Sequence, residues 1–145
     1  MGLRAPSYSR AVQLRKSARG EVVVERFSFA SEVAFVPHGD LLDGVTVAPL
    51  TAPMSEQSPF QAAIFRFAPG GRLARHSATA LEIFAVLEGS GEVIGPDAVG
   101  EPISIGEAIF WSPGDEQEMH SATGMSVLII QGERLDRFRR SPATP

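Results

Sequence analysis

Apolar residues occur along this chain in short runs, separated by glycine, proline and small polar residues. Very little of the sequence repeats its apolar positions every three to four residues, as an amphipathic helix would. Short apolar runs bounded by Gly and Pro are typical of the strands of a β-sandwich or barrel. The pattern predicts an all-β fold, with strands at residues 21–29, 33–36, 45–50, 60–67, 82–89, 91–95, 107–111 and 125–131.

Some of these strands are apolar on both faces, since every residue from Ile83 to Leu87 is apolar. Side chains alternate between the two faces of a strand, so such a segment needs cover on both sides. A second sheet would cover one face, and a second copy of the chain is the simplest cover for the other. The sequence therefore predicts a homodimer.

A chain of 145 residues suits one domain. We expect a basic N-terminal arm at 1–20, a single barrel domain at 21–135, and a flexible tail at 136–145. Segments 38–44 and 52–59 are expected to be loops, and 95–102 a turn between hairpin strands. The residues from Arg134 onward are expected to begin as a short helix.

The composition of the chain excludes several classes of function. The chain has no cysteine, which excludes disulfides, thiolate catalysis and cysteine–zinc sites. It lacks both a bilayer-spanning apolar run and a signal-peptide core, so we expect a cytoplasmic protein without a membrane partner. The net charge is −4, and five of the 13 Lys and Arg residues lie in the first twenty positions. An acidic barrel with a short basic leader argues against a nucleic-acid partner.

The stretch from Pro69 to Gly89 carries the candidate chemistry. His76 and Ala78 share one face of a strand, and Glu82 begins the return strand after a short turn. Opposed ends of antiparallel strands bring side chains within about 5 Å, so His76 and Glu82 are expected to converge. An imidazole and a carboxylate are half of a transition-metal site.

The spacing Gly70-x5-His76-x-Ala78-x3-Glu82-x6-Gly89 resembles the first motif of the cupin family, G-x5-H-x-H-x(3,4)-E-x6-G. Ala78 stands where that motif has its second histidine. The segment from Gly106 to Gly124 resembles the second motif, G-x5-P-x-G-x2-H-x3-N, with Gln117 at the metal-histidine position and His120 three residues later. The resemblance covers residues 60–132.

This resemblance implies a cupin-type double-stranded β-helix, a jelly-roll barrel with an N-terminal strand extension and a short C-terminal tail. It also implies a pocket between the two motifs, and usually a dimer. In this family the motif positions hold one divalent metal, which implies His76, Glu82 and Gln117 as ligands for Fe, Zn, Ni or Mn. His120 is a further candidate ligand outside the motif positions. Because two imidazoles are replaced, weak or partial metal occupancy is expected.

Individual residues have competing interpretations. Gln117 is a poor metal ligand but a good hydrogen-bond partner for an organic substrate. His120 differs in parity from Gln117, so a regular strand would turn it outward, whereas a bulge would turn it inward. Phe84 and Trp111 are either a substrate-binding wall or plain core residues.

Three functions remain open on the sequence. The first is a metal-dependent oxygenase, isomerase or lyase with a reduced ligand set. The second is a metal-free isomerase, dehydratase or cyclase, with His76 as acid/base, Glu82 orienting it and Gln117 binding substrate. The third is a cupin that binds a small organic molecule without turnover. Of these three functions, the sequence favours the two enzymes over the binding protein.

Overall fold

The structure is a computed structural model that describes residues 12–140, which form nine β-strands and one short 3-10 turn at Ser31–Val33. The strands are β1 (Val12–Lys16), β2 (Val22–Phe27), β3 (Leu42–Pro49), β4 (Phe60–Ser77), β5 (Leu81–Ile94), β6 (Gly100–Ser104), β7 (Ala108–Trp111), β8 (Glu116–Ser121) and β9 (Met125–Gly132). The prediction of an all-β jelly roll is confirmed.

Two long strands carry the chain from one layer of the barrel to the other. The first half of β4 pairs with β9, and its second half pairs with β8. Likewise β5 pairs with β7 and β9 through Gly89, and with β6 and β8 from Ser90 onward. We call the layer containing β9 and β7 the first layer, and the layer containing β8 and β6 the second layer.

Glycines make these changes of layer possible. Gly70 and Gly89 have φ angles of 82° and 74°, in the left-handed region that side chains disfavour. A Cβ at Gly89 would also collide with the backbone carbonyl oxygen of Gly124. The two glycines therefore occupy positions where the bend of the strand and the close approach of a neighbour exclude other residues.

The hydrophobic core lies between the two layers. It is built from inward residues of both, among them Phe65 and Val127 of the first layer and Leu73 and Met119 of the second, each at most 1% exposed. Alternation then sends the intervening side chains of each strand outward. A polar side chain at an inward position is therefore exceptional in this barrel.

Strands β1 and β2 form a hairpin of their own. They pair only with each other, and the seven-stranded sheet of the barrel does not include them. The predicted boundary at residue 20 falls in the turn of this hairpin, so residues 12–20 and the strand after them form one element. Arg4 and Arg10 of the predicted basic arm lie outside the described residues, as does the tail from residue 141.

Several predicted elements are corrected. Residues 33–36 are not a strand, because Val33 belongs to the 3-10 turn and Phe35 makes one isolated bridge to Val47. The predicted strands 82–89 and 91–95 are one bent strand. The predicted turn at 95–102 contains the start of β6, and residues 134–140 contain no helix. Residues 12–140 also contain no helix with the length and hydrophobicity to cross a bilayer.

Candidate functional site

A row of polar side chains crosses the inner face of the first layer at one end of the barrel. In the strand register Gln61 lies opposite Gln131, Gln131 opposite Glu82, and Glu82 opposite Trp111. Neighbouring strands in a sheet are about 4.8 Å apart, so these four residues from β4, β9, β5 and β7 form a continuous row.

The second layer contributes the residues that face this row. Gln117 of β8 lies opposite His76 of β4, and both turn inward. Gln117 reaches across the barrel, and its Nε2 donates to Oε1 of Glu82 at 3.0 Å. Gln131 of the first layer donates to the other oxygen, and its Nε2 is 2.9 Å from Glu82 Oε2. Both oxygens of the carboxyl group are therefore held by side-chain amides.

The amide chain continues beyond Glu82. Gln61 donates from Nε2 to Oε1 of Gln131, and the backbone N–H of Met54 donates to Oε1 of Gln61 at 2.8 Å. We call Gln61, Gln131, Glu82 and Gln117 the Glu82 cluster. Every amide in it directs its NH₂ group toward the carboxyl group, so the cluster is built around an acceptor at Glu82.

Burial dominates the electrostatics of Glu82. Its side chain is 2% exposed, and this loss of solvent raises the pKa of Glu82 above its ordinary value of 4.5. The hydrogen bonds from Gln131 and Gln117, and the nearby charge of protonated His76, oppose the rise without cancelling it. Relative to an ordinary glutamate, Glu82 keeps its proton to higher pH.

His76 lies at the partly exposed edge of the cluster. Its Nδ1 is 2.8 Å from the carbonyl oxygen of Ala74, which fixes the ring and assigns the Nδ1 proton to that bond when the imidazole is neutral. Nε2 is then the free basic nitrogen. Ala78, at the position of the absent histidine, is 4% exposed and belongs to the hydrophobic core.

Two buried polar atoms at this end of the barrel have no partner among the described residues. They are Oε1 of Gln117, an acceptor, and Nε1 of Trp111, a donor. A buried polar group without a partner costs about 1–3 kcal/mol, so a native structure rarely keeps one without a reason. Both residues flank Glu82, one through a hydrogen bond and the other as its strand partner.

Phe84 and Trp111 stand beside the cluster as buried aromatics. They are 1% and 5% exposed, and their rings pack edge to face with centroids 6.0 Å apart. Trp111 also lines a cavity of about 180 Å³, together with Val93 and Gly95 of the β5–β6 hairpin. Phe84 is thus a core residue in this structure, and Trp111 joins the core to a cavity.

His120 is separated from the cluster. Inward positions of β8 are Gln117, Met119 and Ser121, so His120 lies on the outer face, where its Nε2 is 3.3 Å from Oε1 of Glu92. The register between β4 and β8 shifts between the Leu73–Met119 and His76–Gln117 pairs, but the extra residue lies in β4. The pairing of β8 with β5 is regular from Glu118 to His120, so no bulge in β8 turns His120 inward. His120 is not placed to complete a ligand set with His76, Glu82 and Gln117.

The donor set does not fit a tightly held first-row metal ion. Both Glu82 oxygens already accept from amides, and His76 is the single imidazole facing the cluster in the part of the chain that the structure describes. Within residues 12–140 no three His, Asp or Glu side chains lie close enough to share an ion. Three good protein ligands are the usual requirement.

The sequence interpretation had missed Gln61 and Gln131. Each is a polar residue at an inward position of an otherwise apolar strand, and Gln131 is 5% exposed. That combination is the available signal, because a glutamine is rarely buried without a partner to satisfy it. The partners are distant in the chain, because Gln131 binds Glu82 and Gln61 binds Gln131 across separations of 49 and 70 residues, which spacing does not reveal.

Comparison with solved structures places the fold among cupins. The polyketide cyclase RemF from Streptomyces resistomycificus is similar with a TM-score of 0.59 and 21% identity, over 70% of this chain and 73% of that one. An RmlC-like cupin from Shewanella frigidimarina gives 0.59 and 16%, over 72% and 88% of the two chains. A predicted oxalate decarboxylase from Thermotoga maritima gives 0.56 and 17%, over 90% and 98%. Neither a protein-family model nor a curated protein matches the sequence.

Proposed function

We propose that this protein, which has the cupin fold, binds a small polar organic molecule beside Glu82 and acts on it by acid–base chemistry without a metal. The observation that carries this proposal is the unpartnered carbonyl oxygen of Gln117, buried next to a carboxyl group whose pKa is raised. An acceptor and a proton-holding acid side by side suit a ligand that carries a hydroxyl or carbonyl group.

Glu82 and His76 supply the two halves of the chemistry. The raised pKa of Glu82 leaves a larger protonated fraction near neutral pH than an ordinary glutamate has, so Glu82 acts as the acid. His76, with its Nδ1 at the Ala74 carbonyl, presents Nε2 as the base. Proton removal at one atom and delivery at another is the requirement for isomerisation, dehydration or ring closure.

The remaining groups position the ligand in this proposal. Gln117 accepts a hydrogen bond from a ligand hydroxyl through Oε1, and Trp111 donates one through Nε1. Phe84, a core residue on the same inner face as Glu82, packs behind the site against Trp111.

The structural neighbours are compatible with this class of chemistry. One of them is a polyketide cyclase, and cyclisation is a reaction that positioned acid and base groups catalyse. At 21% identity this likeness supports the fold, and the choice of reaction rests on the Glu82 cluster.

Ligand-observed NMR with a library of small hydroxy and carbonyl compounds tests the proposal. We expect compounds that bind the wild-type protein in the presence of EDTA and lose at least tenfold in affinity in Gln117→Leu. His120→Ala is the matched control, because it removes a polar side chain of the same strand on the outer face. Binding that EDTA abolishes, or that Gln117→Leu leaves unchanged, contradicts the proposal.

A second candidate is a binding protein without turnover. It is favoured by the enclosure of Glu82, which is 2% exposed and has both oxygens occupied. Recovery of a bound compound after prolonged incubation separates the two functions. Mass spectrometry should find a chemically altered product for an enzyme and the unaltered ligand for a binder.

A further inference from the structure

A third polar atom is buried without a partner among residues 12–140, and it lies on the opposite side of the first layer from the Glu82 cluster. Arg66 lies on the outer face of β4, since its neighbours Phe65 and Phe67 belong to the core. Its Nη1 is buried and has no hydrogen-bond partner among residues 12–140. The residues opposite Arg66 in the sheet are Thr46 and Ser126, which are both neutral.

An unpaired guanidinium in such a place is costly. Arginine keeps its charge at every physiological pH, so burial cannot be relieved by loss of a proton. The described ion pairs join other residues, and the next acid along this row, Glu88, lies beyond Ser126. The Arg66 side chain as a whole is half-buried, and Nη1 is the nitrogen withdrawn from solvent without an acceptor. A buried donor without an acceptor is unfavourable, so an anion that accepts a hydrogen bond from Nη1 would stabilise the site.

A cavity of about 440 Å³ lies beside Arg66, between the barrel and the β1–β2 hairpin. Its volume is within the range of small-molecule sites, roughly 300–1,000 Å³. Phe27 and Phe29 line it and are 52% and 47% exposed, so the cavity has an apolar side as well as a cationic one. Arg26 lines it too, with Nη2 donating to Oε1 of Gln13 at 2.8 Å.

We propose that this cavity, the hairpin site, binds a small organic carboxylate with an apolar body. The carboxylate pairs with Arg66, and Arg26 adds a second positive charge. The apolar body lies against Phe27 and Phe29. A guanidinium and a carboxylate form two parallel hydrogen bonds, which would give Nη1 the partner that it lacks. The site is independent of the Glu82 cluster, because it is on the outer face of the first layer.

The test uses phenylacetate and its neutral isostere phenylacetamide as probes, measured by NMR titration of the whole chain. We expect phenylacetate to shift the backbone amides of Ser28, Phe29 and Arg66 and to bind at least tenfold more tightly than phenylacetamide. Arg66→Met should lose at least tenfold in phenylacetate affinity. Arg72→Met is the matched control, since Arg72 is an exposed arginine on the same strand outside this cavity.

Further measurements check that Arg66→Met folds and that a second copy of the chain does not occupy the hairpin site. Thermal unfolding of Arg66→Met should not fall below that of wild type, because the substitution removes an unpaired charge, and phenylacetate should raise the melting temperature of wild type alone. The proposal is overturned if phenylacetate and phenylacetamide bind equally, if Arg66→Met binds as wild type does, or if the shifts fall outside the hairpin site. It is overturned as well if the Ser28 and Phe29 signals respond to protein concentration and not to phenylacetate, since a second copy of the chain would then cover the cavity.

Discussion

At Glu82, burial and hydrogen bonding act on the carboxyl group in opposite directions. Burial raises the pKa and is the larger effect, while the amides of Gln131 and Gln117 lower it. A protonated Glu82 costs less to bury than a carboxylate does. The folded protein therefore binds this proton more tightly than the unfolded chain, whose glutamates have the ordinary value of 4.5.

The sign of the pH dependence follows from this difference. The stabilisation by the Glu82 proton is fully present below pH 4.5 and is lost as the pH rises through the higher pKa of the folded state. We expect Glu82→Gln, which cannot ionise, to lose less stability than wild type between pH 4.5 and neutral pH. Urea unfolding across this range measures the difference. Glu56→Gln, at an exposed loop position, is the control and should follow wild type.

Gln131 is expected to be a stabilising member of the cluster. Gln131→Leu keeps the volume of the side chain but leaves Glu82 Oε2 and Gln61 Nε2 without their partner. We expect a loss of about 1–3 kcal/mol in the free energy of unfolding. The control Gln57→Leu, at an exposed turn position, should change stability by less than about 0.5 kcal/mol. Equal effects of the two substitutions would show that Gln131 does not support the cluster.

At the scale of the strands, alternation decides which side chains meet. Strand β8 carries Gln117 inward and His120 outward, as expected from parity in a regular strand. In β4 an irregularity between Leu73 and His76 interrupts this alternation and places His76 opposite Gln117. The site therefore combines one imidazole, one carboxylate and one amide from three strands.

Histidines introduced at the two positions where the cupin motifs have them should convert the arrangement of His76, Glu82 and Gln117 into a metal site. In Ala78→His with Gln117→His, three imidazoles and Glu82 face the same point, so we expect Zn²⁺ affinity to rise at least a hundredfold, measured by calorimetry. Circular dichroism checks that the larger side chain at the buried position 78 is tolerated. His120→Ala should leave Zn²⁺ binding of the wild type unchanged, and a loss of binding there would contradict the placement of His120 on the outer face.

The strand pattern was predictable where apolar runs were long, and less so where the inward residues are polar. Segments 45–50, 60–67 and 125–131 correspond to β3, β4 and β9, because their inward and outward positions are both largely apolar. Strand β8 is mostly polar and was recognisable only through its motif. The local turn predicts that His76 converges on Glu82, and the structure places His76 opposite Gln117, which binds Glu82. Gln61 and Gln131 join Glu82 through long-range pairing that spacing does not reveal.

At the scale of the whole molecule, the outer face of the first layer bears on assembly. Side chains that alternate with the buried ones point outward here, and they are apolar: Ile83, Ala85, Leu128, Ile130 and Phe110. Each is only half-buried within one chain, and Leu87 next to them is 44% exposed. An apolar sheet face of this kind is typical of an interface between subunits.

We expect a homodimer that buries the part of this face formed by β9, β5 and β7 and leaves the hairpin site beside β4 uncovered. Light scattering of the wild-type protein at micromolar concentration should give twice the 15.5 kDa mass of the chain. Ile130→Glu places a charge in the centre of the face and should shift the protein to monomers. Val99→Glu, at an apolar position that is 57% exposed in the β5–β6 turn, should remain dimeric. A wild-type protein that is monomeric and stably folded would contradict the expectation.

The central claim is that Glu82 is a proton-holding acid in a site that does not depend on metal. Carbon-13 NMR titration of its carboxyl carbon, assigned by the signal lost in Glu82→Gln, tests this claim directly. We expect a titration midpoint above 4.5 that one equivalent of Zn²⁺ leaves in place. A midpoint at or below 4.5, or one that Zn²⁺ displaces at a one-to-one ratio, would contradict it.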